Sequence, residues 1–140
     1  MSVYLDASVI LPTLVVEKAS AAVAAYLRST TAGLLVSEFA AAEVASGVSR
    51  LLRTKALSFD QAQGALSRLD AWRASDTTSI AIENDDIGAA HRIVPRFELK
   101  LRAPDALHLA VCLRVGAQLA TLDGDLADAA AQLGAPIASP

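Results

Sequence analysis

Cysteine is nearly missing from this chain. Its one cysteine, Cys112, has no partner for an internal disulfide, so no covalent framework holds the fold. Cys112 sits among Leu109, Ala110, Val111 and Leu113 and reads as a small buried hydrophobe rather than a nucleophile. Histidine is scarce too, at 2 residues, which argues against a zinc site. Aromatic residues are only 4%, so a stacking platform for single-stranded bases is not expected. Long apolar runs are absent. Met1–Leu5 leads straight into Asp6, and neither a signal peptide nor a spanning helix is expected; the cytoplasm is the expected location. A basic excess is also lacking: the net charge is −3, which on balance argues against a partner held mainly through phosphates.

What is present is apolar mass. Hydrophobic residues make up 54% of 140 residues, which excludes disorder and suffices for one domain over 1–140 with its own core. Short apolar runs read as buried strands: Val3-Tyr4-Leu5, Leu34-Leu35-Val36, Ile80-Ala81-Ile82, Gln118–Thr121 and a short Pro136-Ile137-Ala138. Helical spacing fills the gaps over Ala19–Ser29, Ser37–Lys55, Ser58–Ala74, a segment ending near Val94, Pro104–Val115 and Leu126–Leu133. Ser58 and Gln61 form a capping-box pattern, and Asn84 or Asp85 is the expected cap of the helix after the third strand. Gly116 and Gly134 are stop signals. Strands alternating with helices predict an α/β domain with a mostly parallel sheet of about four to five strands.

In such a sheet, ligands bind at the carboxyl ends of the strands. Asp6 ends the first strand run, Asp123 follows the fourth, Asp105 lies just after Pro104 in a first helical turn, and Glu43 sits about two turns into the helix after the second strand. Each has an ordinary explanation: Asp105 suits a helix dipole, Asp123 and Asp125 suit a turn around Gly124 and a helix cap, and Glu43 suits a solvated helix face. Asp6, directly after Val-Tyr-Leu, is harder to explain in that way. Four carboxylates at one sheet end repel one another, and a hard divalent cation relieves the repulsion. Oxygen-only ligands favour Mg²⁺ or Mn²⁺, which suit phosphodiester hydrolysis by activating a water.

The chain resembles PIN-domain proteins, and within them the VapC-type toxins of bacterial toxin–antitoxin pairs. The resemblance rests on Tyr4-Leu5-Asp6-Ala7-Ser8, on Val36-Ser37 followed by Glu43 and Arg50, on Pro104-Asp105-Ala106-Leu107-His108-Leu109-Ala110, and on Leu119–Leu126. The acids fall 37, 62 and 18 residues apart, from Asp6 to Glu43, Asp105 and Asp123. The resemblance implies a three-layer α/β/α fold and a Mg²⁺-dependent endoribonuclease, with Mn²⁺ as a substitute. Asp6, Glu43, Asp105 and Asp123 would be both the metal ligands and the catalytic acids. It assigns Ser8 and Thr121 to support of the site. Asp125 is either a supporting acid or the cap of the last helix. It further implies an RNA substrate, a cognate VapB-type antitoxin and a homodimer, with no membrane association.

No basic general acid stands beside the acids, so no side chain is assigned to proton transfer. His108 follows Asp105 by three residues on one helix face; a hydrogen-bonded helix histidine is the simpler reading, a proton shuttle the alternative. His91 reads as surface. Arg50, Arg53 and Lys55, and then Arg92, Arg96, Lys100 and Arg102, form basic stretches. They suit RNA phosphates, solvated helix ends or an acidic partner equally. A catalytically silent metal- or RNA-binding module is the alternative function, against which the intact acids speak. A phosphatase forming an aspartyl phosphate would need a second acid two residues after Asp6, where Ser8 stands.

Overall fold

A computed structural model describes residues 1–140. Five strands, β1 (Ser2–Leu5), β2 (Gly33–Ser37), β3 (Thr77–Ile80), β4 (Gln118–Ala120) and β5 (Ile137–Ala138), form one sheet in the order β3-β2-β1-β4-β5. Every neighbouring pair is parallel, and Tyr4 of β1 lies opposite Leu35 of β2 and Leu119 of β4. The central strand β1 is therefore hydrogen-bonded on both sides, which is why Val3-Tyr4-Leu5 is apolar throughout.

Helices cover both faces. On one lie α1 (Ala7–Leu14), α2 (Ser20–Ser29), α3 (Glu38–Arg53) and α4 (Phe59–Asp76), packed on Val3, Leu5, Val36 and Ala120. On the other lie α5 (Asn84–Ile93), α6 (Ala103–Val115) and α7 (Gly124–Gln132), packed on Tyr4 and Leu119. Successive strand residues point to opposite faces, so β1 and β4 each feed both cores. The result is the three-layer α/β/α arrangement. No helix is long and apolar enough to cross a membrane.

Most expected elements are present within a residue or two. Ser58 and Gln61 close the capping box of α4 in both directions, at 3.1 and 2.9 Å. Gly116 ends α6 with a φ of 67°, a left-handed conformation that glycine adopts without a Cβ penalty. Three expectations are corrected. The third strand is Thr77–Ile80 rather than Ile80–Ile82. It is the sheet edge, paired on one side only, so it needs little apolar surface. The cap of α5 is Glu83, not Asn84 or Asp85, because Asp86 turns back to bond the Glu83 amide at 2.8 Å. Helix α1, which the apolar pattern does not announce, carries Pro12 inside it and is started by Asp6.

Arg114 of α6 fastens α5 to that layer. Its guanidinium bonds both carboxylate oxygens of Asp86, at 2.7 and 2.9 Å, and the carbonyl of Ala81 at 2.8 Å. Burial pushes the Asp86 carboxyl up, but the bonds from Arg114 and the Glu83 amide, with the Arg114 charge, outweigh it and hold it below the usual range. A depressed carboxylate stabilises the fold above its unfolded pKa, and that contribution is lost as pH falls through the folded value. Asp86→Ala is expected to cost about 1–3 kcal/mol at neutral pH. Urea denaturation of both proteins from neutral to acid pH should show the gap closing below the usual aspartate range.

Candidate active site

The parallel topology carries the ends of β2, β1 and β4 to one edge of the sheet. Asp6 is the residue after β1, and its amide extends the ladder to the Ala120 carbonyl at 3.2 Å. Its side chain is 5% exposed and has no cationic partner in an ion pair. Oδ1 accepts the Ser8 hydroxyl at 2.6 Å and the amides of Ser8 and Val9 at 3.0 and 3.3 Å. Oδ2 accepts the Thr121 hydroxyl at 2.5 Å. The amide bonds make Asp6 the N-cap of α1. Burial raises its pKa, and the bonds from Ser8, Thr121 and Val9 only partly offset the rise.

Ser8 and Thr121 also hold the loop between β4 and α7. Ser8 Oγ accepts the Leu122 amide at 2.8 Å, and Thr121 Oγ1 accepts the Asp123 amide at 3.0 Å. Asp123 caps α7 by accepting the Leu126 amide at 3.1 Å. Asp125 is exposed in the first turn of α7 and is not its cap, since the Asp123 carboxylate already occupies the free amide. Asp105 lies in the first turn of α6, where Oδ2 accepts the Arg102 amide at 3.3 Å.

Glu43 extends from α3 and its Oε1 meets His108 Nε2 of α6. His108 is 3% exposed, and its Nδ1 lies 2.7 Å from the Tyr4 hydroxyl. That hydroxyl also lies 2.8 Å from Ser37 Oγ. Burial pushes the Tyr4 phenol well above its ordinary pKa, so it stays protonated. Tyr4 and Ser37 were not singled out as site residues by sequence. The signals were their places in the motifs quoted above and, for Tyr4, its position two residues before Asp6 along an extended segment, hence on the same face. Cys112 is inert, as its burial implies. The thiol donates to the Ala117 carbonyl at 3.1 Å, and burial pushes its pKa up to about 12.

Asp6 and Asp123 follow β1 and β4, Asp105 lies in the first turn of α6 and Glu43 reaches His108 of that helix, but no three of the carboxylate and imidazole groups converge closely enough to grip one ion as they stand. The donor chemistry nonetheless fits a hard cation. Glu43 Oε2, Asp105 Oδ1 and Asp123 Oδ2 accept no protein hydrogen bond. Asp6 is a buried carboxyl that takes part in no ion pair. Mg²⁺ commonly uses one or two carboxylates and keeps several waters, so a closed cage is not required. The basic side chains Arg50, Arg53, Lys55, Arg92, Arg96, Lys100 and Arg102 are all exposed. Arg96 pairs with Glu98 at 3.0 Å, and Arg102 lies 3.5 Å from Asp105.

A carboxyl whose folded pKa is raised stabilises the fold only below its unfolded pKa, and the contribution disappears as pH rises through the folded value. Asp6 therefore costs stability at neutral pH without a cation. Asp6→Asn keeps an oxygen for Ser8 and Val9 and removes the charge. Its thermal midpoint in chelator should equal or exceed that of the parent at neutral pH. The advantage should shrink toward the acid range, as thermal melts across pH will show.

Comparison with known proteins places this geometry. The chain matches the PIN domain family over residues 3–132. No curated protein matches it in sequence. Among solved structures it is similar to Mycobacterium tuberculosis VapC20, described as a Sarcin-Ricin loop cleaving toxin, with a TM-score of 0.74 at 17% identity over 91% of this chain and 95% of that one. It is also similar to VapBC2 from Rickettsia felis, solved bound to a fragment of promoter DNA (TM-score 0.71, 17% identity, 99% and 98% covered). FitAcB from Neisseria gonorrhoeae shares the fold at a TM-score of 0.71 and 20% identity, over 98% of this chain and 95% of that one. The family match spans nearly the whole chain, and with the all-parallel sheet and its acidic edge it leads to one conclusion: this chain belongs to the PIN-domain family.

Proposed function

We propose that the protein is the ribonuclease toxin of a toxin–antitoxin pair, hydrolysing RNA phosphodiesters with a bound Mg²⁺ or Mn²⁺. The observation that carries the reading is Asp6, a buried carboxylate without an ion-pair partner directly after the central strand; Asp123 follows β4, Asp105 stands in the first turn of α6 and Glu43 in the second turn of α3. The family match and the fold shared with VapC20 support it.

Asp6 would be the anchoring ligand, with Asp105, Glu43 and Asp123 completing the site directly or through water. A cation bound there supplies activation of water and stabilisation of charge on the phosphate. Ser8 and Thr121 hold both Asp6 oxygens in place, which fixes the geometry before a substrate arrives. The N-termini of α6 and α7 both open toward this edge and favour anionic groups. The exposed Arg and Lys side chains are suited to RNA phosphates, which would position rather than select the substrate.

An antitoxin partner fits the apolar grooves on the α1–α4 face. One, of about 320 Å³, runs between α3 and α4 with Ala41, Ala42, Ala45, Leu66 and Leu69 in its lining and Glu38, Asp70 and Arg73 beside them, and a partner helix would lay its apolar face on the former. A homodimer belongs to the same proposal. A catalytically silent module on this fold would keep the acids without cleaving.

Purified protein with Mg²⁺ or Mn²⁺ is expected to cleave RNA, and chelator to stop it. Asp6→Asn and Asp105→Asn should each reduce cleavage by about 10²-fold or more. Added cation should raise the thermal midpoint of the parent and leave that of Asp6→Asn unchanged. Cleavage by Asp6→Asn at the parent rate would refute the site. Toxicity on expression, relieved by the same substitutions, separates the toxin from a silent module.

A further inference from the structure

The buried groups behind Glu43 form a connected set that the proposed chemistry does not use. Tyr4 and Ser37 are fully buried and His108 nearly so, while the Glu43 side chain is 32% exposed. The connections run from the Ala40 amide to Ser37 Oγ at 3.0 Å, on to Tyr4 at 2.8 Å, to His108 Nδ1 at 2.7 Å, and from Nε2 to Glu43.

The protons on this chain can be assigned. Ser37 Oγ accepts the Ala40 amide proton, so the chain begins with a fixed donor. If Ser37 donates to Tyr4, Tyr4 donates to Nδ1, and Nε2–H donates to Glu43, every buried hydrogen has an acceptor. The reverse order requires Nδ1–H to donate to Tyr4 and Tyr4 to donate to Ser37. The Ser37 proton then has no acceptor, since its oxygen meets only Tyr4 and Ala40. Buried polar groups left so are costly. Only the forward direction satisfies the whole chain.

The chain also crosses the molecule. Ser37 ends β2 and Tyr4 lies on β1, both toward the α5–α7 layer, whereas Glu43 belongs to α3 of the other layer. His108 passes around the carboxyl edge of the sheet between them. Its ring is wedged between Tyr4 and Phe39, with ring centroids at 5.7 and 5.3 Å. An imidazole gripped at both nitrogens and on its sides has a defined orientation, and so does the carboxylate it holds.

We propose that Ser37, Tyr4 and His108 form a positioning relay that locks His108 as the Nε2–H tautomer and holds Glu43 Oε1, leaving Oε2 for the cation. None of the three touches substrate; they act through Glu43. The inference rests on reading Glu43 as a cation ligand. Outer partners of ligating groups commonly set metal affinity in this way.

Three measurements on the full-length chain test it. Long-range ¹⁵N–¹H correlation spectra of the parent should show the Nε2–H tautomer at His108; an Nδ1–H tautomer, or an imidazolium protonated at both nitrogens, would overturn the relay. Calorimetric titration with MnCl₂ should show His108→Ala binding about 10–100-fold more weakly than the parent. His108→Gln should recover most of that loss, because its amide offers an NH₂ donor for Glu43 and a carbonyl acceptor for Tyr4 in place of the two ring nitrogens. Tyr4→Phe keeps the ring packing and removes the hydroxyl, and with it both the proton given to Nδ1 and the acceptor of the Ser37 proton, so it should weaken Mn²⁺ binding and mix the tautomers. A merely structural His108 would lower thermal stability and leave Mn²⁺ affinity as in the parent, and that result refutes the relay. Failure of the parent to bind Mn²⁺ refutes the metal-centre reading instead, so the two failures are distinct.

Discussion

A carboxylate carried to the edge of the core by the central strand is the constraint on which this molecule turns. Strand β1 lies between β2 and β4 with no exposed residue over Val3–Leu5, so the residue that follows it is delivered to a place with little water. An anion there is expensive, and hydroxyl and amide donors reduce the cost without removing it. Ser8 comes from α1 and Thr121 from the loop after β4, and they still converge on the one side chain. The loops at this sheet edge are arranged around Asp6, and the remaining negative charge is the physical case for a cation.

The other acids show why structural and functional readings of a residue need not compete. Asp123 caps α7 and Asp105 holds the Arg102 amide at the start of α6. Each carries out the ordinary task that its sequence context suggests. Each also spends only one oxygen on it. A capping carboxylate is anchored at a helix N-terminus, where the dipole and free amides already favour an anion. Positioning an acid by making it a cap is an inexpensive way to preorganise a site.

Glu43 differs, because nothing in its own helix holds it. Its partner, His108, comes from the opposite helical layer, and the hydrogen bonds behind His108 return to the start of α3 through Tyr4 and Ser37. The two layers therefore meet at this sheet edge through a polar chain, beside the ring contact of Phe39 with His108. Buried polar networks of this kind specify one arrangement when every member is satisfied, and no buried side-chain nitrogen or oxygen is left without a partner here.

The α/β class, the central strand leading directly into Asp6, the boundaries of α3, α4 and α6, and the places of the four acids relative to strand and helix ends were legible in the sequence because each is written in local chemistry. Such signals are apolar runs of strand length, a capping box at Ser58 and Gln61, a glycine stop at 116, and carboxylates directly after strands. The misplaced β3 is polar because an edge strand buries little. The cap of α5 moved to Glu83 because Arg114, 28 residues from Asp86 along the chain, draws Asp86 in. Asp125 lost the capping role to Asp123, a choice between two adjacent candidates that composition does not make. Tertiary structure alone decided which side chains meet: Thr121 with Asp6, and His108 with Glu43 and Tyr4, across 115, 65 and 104 residues of chain. Local pattern determines where a strand ends and which residue stands there; sheet order and helix packing determine what that residue faces, because those contacts close only when distant segments fold onto one another.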